Sequence, residues 1–530
     1  MAPGRRSFRP LVAALLALTV IAGTGPAALA IGSDSSAPSL RLIAPNDSVT
    51  VRRYGDEPAY LTPGILVAAL RGAWDIRASR PDYDHDVTLW QHFSDGSRRQ
   101  LPADLADGFK GLDRFFRVTL TDSAGNVVLK RQRTFCPEGQ DMRVSAAGPM
   151  ASRYPRQCGW WGAASQFTLG TVWGIEKGWA VPSMEWDGPR FRGPDGRYTM
   201  RIAIAPRFRS IFNVADGDAS VTVSIRIKTE EDYCPDCPYP KPPPEGVEAG
   251  HDHADGHHGH GQPDGDREVD GVGHVHGADG GHPARGPRFP VRGPLGAAPS
   301  VMSPPDAALP DLIALPAFSI SVGREGRKDR ISFGANVWNA GPAPLLVEGF
   351  KRDGEDVMDA YQYFLDGDEV LGRARAGFME FHTARGHNHW HFLQFARYSL
   401  WNESMEQEVV ARKQAFCLAP TDAIDLTIPG AEWQPGSTGL GTSCGGPSAV
   451  WIRETLQAGW GDTYFQVAGQ SLDVTNVPNG TYYIAVEANP AGLLRERDMG
   501  NNVELRKIHL GGTPGERTVE VEDWHGIGNY

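Results

Sequence analysis

Short runs of alternating apolar and polar residues recur along this chain. Phe116, Val118 and Leu120 alternate with polar residues, Ser123-Ala124-Gly125-Asn126 supplies a turn, and Val127-Val128-Leu129 begins a return strand. Tyr198, Met200, Ile202 and Ile204 share one face after Asp195-Gly196, and Val221, Val223, Ile225 and Ile227 form another. Farther on, Ile331, Phe333, Ala335 and Val337 alternate up to the turn Asn339-Ala340-Gly341-Pro342. Tyr482, Ile484, Val486 and Ala488 alternate after the turn Pro478-Asn479-Gly480. A side-chain period of two places one face on a core and the other in water. The pattern predicts a mostly β protein, with one or two β-sandwich-like modules over 31–238 and a second β-rich domain over 306–512. The tail, 513–530, has little apolar content and is expected to be poorly ordered.

Composition divides the chain further. Residues 239–305 are dominated by Pro, Gly, Asp and His, with few large apolar residues to offset the cost of ordering, so a disordered linker is expected. Eight of the chain's 16 histidines, from His251 to His282, lie in it. Capture of copper or zinc and a plain hydrophilic tether are both open readings of that tract. At the start, Arg5, Arg6 and Arg9 precede an apolar run from Leu11 to Ala22 and then Ala28-Leu29-Ala30, which reads as a signal peptide over 1–30. The Arg5-Arg6-x-Phe8 start resembles a twin-arginine signal, although paired arginines also occur in ordinary leaders. A secreted protein without a membrane span is expected. The six cysteines are even in number, as disulfides require, and the local pairing is Cys136–Cys158, Cys234–Cys237 and Cys417–Cys444. The net charge of −12 argues against a nucleic-acid partner.

The candidate chemistry lies in His387-Asn388-His389-Trp390-His391. In a strand, residues i, i+2 and i+4 point to one face, so three imidazoles would gather there without a cysteine. Such a nitrogen-rich set suits Cu(II), Zn, Ni or non-haem Fe. A straight strand would spread the outer two by roughly 13 Å, so a shared ion needs a bend or strong twist. An ordinary strand with incidental histidines is the competing reading; strict alternation beside a fourth histidine, His382, weighs against it. His85 and His92 are isolated, and the N-terminal part shows no catalytic constellation.

Four further segments follow the histidines in order: Lys413-Gln414-Ala415-Phe416-Cys417-Leu418, Gly459-Trp460-Gly461-Asp462-Thr463-Tyr464, Leu472 to Tyr482, and Glu496-Arg497-Asp498-Met499-Gly500-Asn501-Asn502. Over roughly 330–510 the chain resembles the catalytic domain of the lysyl oxidase family. That resemblance implies copper held by His387, His389 and His391. It implies a lysine tyrosylquinone cofactor formed from Lys413 and Tyr464, and Asp462 as general base. The implied activity is oxidation of peptidyl lysine or another primary amine to an aldehyde, with O2 reduced to hydrogen peroxide and ammonia released. His382 lies two residues farther from the motif than the corresponding histidine of the animal enzymes. Their cysteine-rich framework is reduced here to Cys417 and Cys444. Taken singly, Lys413 reads as a solvated lysine, Tyr464 as a core aromatic and Asp462 as a turn residue; their joint presence with the histidines favours the cofactor pair. The alternatives are a non-catalytic copper-binding or cell-surface module with this fold, and a copper-handling protein built around the linker.

Overall fold

A computed structural model describes residues 38–137, 141–156, 158, 162–184, 188–230, 300, 303–352, 354–367, 369–383, 388–393, 395–411, 413, 415–465 and 469–530. The leader at 1–30, the Cys234–Cys237 pair, the linker up to 299 and His387 lie outside the described residues. The protein is mostly β, and among the described residues the one α-helix is Pro206–Ile211.

The alternating runs fold as the side-chain period dictates. Strands Ser48–Tyr54, Ser220–Glu230, Gly196–Ile204, Leu112–Asp122 and Val127–Phe135 form one five-stranded sheet in that order. Its inward residues, among them Phe116, Val118, Met200, Ile202, Val223 and Ile225, are buried against Trp74, Ile76 and Trp173. Those three come from the facing sheet that contains Trp74–Ser79 and Gly170–Ile175. The predicted turn after Leu112–Asp122 is closed by Asp122, whose carboxylate accepts the Ala124 and Asn126 N–H groups, and Gly125 takes the φ of +87° that the turn needs.

Among the described residues, the C-terminal half has three sheets. The first runs Leu312–Ala314, Lys328–Asn339, Trp460–Phe465, Asp422–Ala423. The second runs Ala415–Phe416, His389–Leu393, Glu369–His382, Val357–Asp366, Leu345–Lys351, Trp451–Leu456. The third contains Ala396–Asn402, Gly480–Ala488 and Val503–Thr513. Phe333, Ala335 and Val337 meet Val347, Met379, Trp390, Phe392, Ile484 and Val486 in one core. The disulfides Cys136–Cys158 and Cys417–Cys444 form as the local pairing predicts.

The poorly ordered tail is a misreading. Glu516–Val521 pairs with Val503–Thr513, and Val519 and Val521 pack against the core. An edge strand needs an apolar residue only at every second position, and Arg517-Thr518-Val519-Glu520-Val521 meets that with two valines. Asn529 then closes the end, with its amide exchanging hydrogen bonds with both backbone groups of Ile320.

The segment Glu496 to Asn502 is a structural clasp. Glu496 accepts hydrogen bonds from the Asn489 and Asn502 amides and from the Leu312 N–H, so one carboxylate ties three segments. Glu496→Ala should lower stability by about 3 kcal/mol, because three partly buried donors lose a charged acceptor. The denaturation midpoint measures this; an unchanged midpoint would remove the clasp.

Candidate functional site

Antiparallel pairing brings the histidines together. His382 lies opposite His389, and Glu380 opposite His391. Directly opposed residues share a face of the sheet. The His382 and His391 rings are 4.4 Å apart and the His389 and His391 rings 4.6 Å. Trp390 points the other way, into the core, with its indole N–H donating to Gly446 O. The His389 and His391 Nε2 atoms are 2.8 Å apart. That is a hydrogen-bonding distance, and it is also what two metal–nitrogen bonds of roughly 2.0 Å make at a right angle. The donor set therefore fits a nitrogen-ligated ion. Among the described residues, no group of three or more His, Cys, Asp or Glu is arranged as a ready-made metal site.

Next to this face lie the other predicted residues. Phe392 pairs with Phe416, and the Phe416 ring meets Tyr464 edge-on at 4.8 Å. Tyr464 projects from Trp460–Phe465, which hydrogen-bonds to Lys328–Asn339 with Tyr464 opposite Ala335. The Lys413 amine stands 4.5 Å from the centre of the Tyr464 ring and 5.0 Å from that of Phe416. It donates to Ala415 O at 3.1 Å, while its backbone N–H donates to Gly469 O. Burial lowers the amine to about 8, with the Asp462 charge opposing. Burial also lowers the His382 imidazole, and the Lys413 charge adds to that.

Asp462 is 1% exposed, and neither carboxylate oxygen makes a hydrogen bond of good geometry among the described residues. Burial raises its carboxyl well above the usual range, with Lys413 opposing. The Tyr464 phenol is likewise raised by burial, and further by Asp462 and Glu454. Its hydroxyl donates to Cys417 O at 2.9 Å. Residues 371–519 match the family model for lysyl oxidase. No curated protein matches the chain.

The lysyl oxidase match takes in His382, His389, His391, Lys413, Asp462 and Tyr464, and leaves the N-terminal half unmatched. Within it the structure gathers His382, to which the sequence assigned no role, with His389 and His391, and brings Lys413 to Tyr464, whose strand also carries Asp462. His85 stays apart, exposed and paired with Asp82.

One residue of the matched region escaped the sequence reading. Glu454 is fully buried and accepts the Leu418 N–H at 3.0 Å. The Cys417–Leu418 peptide is thus held from both ends: its N–H by Glu454, its C=O by the Tyr464 hydroxyl. The Cys417–Cys444 disulfide anchors the same peptide, and Cys444 O accepts the Trp390 N–H from the histidine strand. The available signal was an acid on the otherwise apolar face of Ile452, Glu454 and Leu456.

Proposed function

We propose that the protein is a secreted, copper-dependent amine oxidase that converts peptidyl lysine or other primary amines to aldehydes with O2, releasing hydrogen peroxide and ammonia. Its cofactor would be lysine tyrosylquinone, made by joining Lys413 to Tyr464. When formed, this group supplies the electrophilic carbonyl and electron sink that no standard side chain offers. The observation that carries the reading is the Lys413 amine over the Tyr464 ring at 4.5 Å, buried and lowered to about 8. A surface lysine would be a cation at neutral pH; this one reaches its nucleophilic, neutral form far more readily.

His387, His389 and His391 would hold the copper, with His382 close by. Asp462 would take the proton α to the substrate nitrogen, since a buried carboxyl with a raised pKa suits a base working near neutrality. Phe416 excludes water beside Tyr464. Secretion is supported by the leader pattern and by the two disulfides, which persist in oxidising compartments. Among the described residues no helix is long and apolar enough to cross a membrane.

His389→Ala should abolish tight binding of one copper per chain, read by metal analysis after dialysis against a weak chelator. Full occupancy in that variant would remove the metal assignment. Peptide mass analysis after aerobic copper loading tests the cofactor itself: a covalent join between the peptides carrying Lys413 and Tyr464 is the expected result.

A further inference from the structure

The lysyl oxidase match begins at residue 371, yet a segment of the N-terminal half lies against residues 422–426, whose Asp422–Ala423 strand pairs with the strand that carries Asp462 and Tyr464. Gly170 bridges to Asp425, the Leu169 and Gly170 N–H groups donate to Ile424 O, and the Leu426 N–H donates back to Gly170 O. Phe167 is buried with Phe318, Trp338 and Ile424 in a core that both halves share. At one end of this contact, the Ala164 N–H donates to Asp422 Oδ1 at 2.9 Å, across 258 positions of sequence.

Asp422 is 3% exposed and pairs with Gly461, the residue before Asp462. Its Oδ2 accepts the Thr421 hydroxyl at 2.9 Å. Thr421 in turn brackets Asp462. Its N–H donates to Gly461 O at 2.9 Å, and its hydroxyl oxygen accepts the Thr463 N–H at 2.7 Å. The backbone on both sides of Asp462 is thus held by one threonine, whose hydroxyl lies between Asp422 Oδ2 at 2.9 Å and Gly461 O at 3.2 Å, and Ala164 holds Asp422 in turn. Gly162 makes room for this: its φ is +121°, and a Cβ there would overlap Asp422 Oδ1.

We infer that the N-terminal half is a positioning element for the catalytic strand, acting from Ala164 through Asp422 and Thr421 on the backbone around Asp462. Without that half, Asp422 would lose a backbone donor in a site closed to water, and Thr421 would lose its fixed orientation. Removing a single hydrogen bond of this kind loosens the backbone it holds, and small displacements of a base are costly to turnover.

The test uses the full chain, with the variants Gly162→Ala and Asp422→Asn. Gly125→Ala is the control, because Gly125 also has positive φ, +87°, but faces open space. Amide exchange at Thr463 should speed roughly fivefold in Gly162→Ala and in Asp422→Asn. Turnover of n-butylamine should show kcat lower by roughly tenfold with KM little changed. Gly125→Ala should change neither. If Gly162→Ala does not accumulate as folded protein, Asp422→Asn decides by the same readouts. Thr463 exchange in Asp422→Asn equal to that of Gly125→Ala overturns the inference. The kcat readout rests on the proposed amine oxidase activity. A wild-type protein without turnover would sink that activity, while the exchange measurement still decides the positioning.

Discussion

A Lys413→Arg protein should fold, bind copper and release hydrogen peroxide from a primary amine at a rate lower by roughly a thousandfold or more. Arginine keeps the charge and much of the bulk beside Tyr464, but its guanidinium stays protonated and cannot add to an oxidised ring. Tyr464→Phe should fail equally, because it removes the oxygen on which oxidation begins while leaving the edge contact with Phe416 in place. The wild-type join should also depend on pH. The Lys413 amine is lowered to about 8, so its neutral form becomes dominant as pH rises through that value. Cross-link formation, followed by intact mass and visible absorbance, should speed up to about pH 8 and then level off. Lys413→Arg with substantial amine-dependent peroxide release would end the lysine tyrosylquinone reading.

Asp462→Asn should divide stability from activity. An amide cannot take the α proton, so kcat should fall roughly 10²- to 10⁴-fold with copper and cross-link retained. Burial holds the Asp462 carboxyl far above its unfolded value, so the folded protein binds that proton more tightly. Its contribution is therefore fully favourable at low pH and is lost as pH rises through the folded value. At neutral pH and above, replacing the acid with an amide removes a cost. The variant should melt higher by roughly 2 °C or more, and the gap over wild type should widen as pH rises. A variant with wild-type kcat would remove Asp462 as the base, and a lower melting temperature would show that the charged carboxylate is stabilised where it sits.

Local periodicity made the strands legible. Phe116 to Leu120, Tyr198 to Ile204, Ile331 to Val337 and Tyr482 to Ala488 all run as strands with the alternating residues buried, because the two-residue period is a property of each strand by itself. The His389–His391 pair was legible for the same reason. Lys413, Asp462 and Tyr464 were found through motif order, and their proximity came only from the fold, since sheet pairing across tens of residues leaves no mark on local pattern. Glu454 was missed because its role depends on the orientation of a peptide bond 36 positions away. Val519 and Val521 were too sparse to announce a strand until a partner edge was known.

The bond between Ala164 and Asp422 closes a loop of 258 positions, and the bridge from Gly170 to Asp425 is comparably long. Chains rich in such distant pairings fold slowly, because the entropy of closing the loop is lost before the contact rewards it. As the ribosome releases the N-terminal half, Phe167 and Ala164 must wait with their partners still unsynthesised. The strand bearing Asp462 and Tyr464 therefore reaches its final setting late, and the proposed joining of lysine to tyrosine would have to follow the completion of folding rather than guide it.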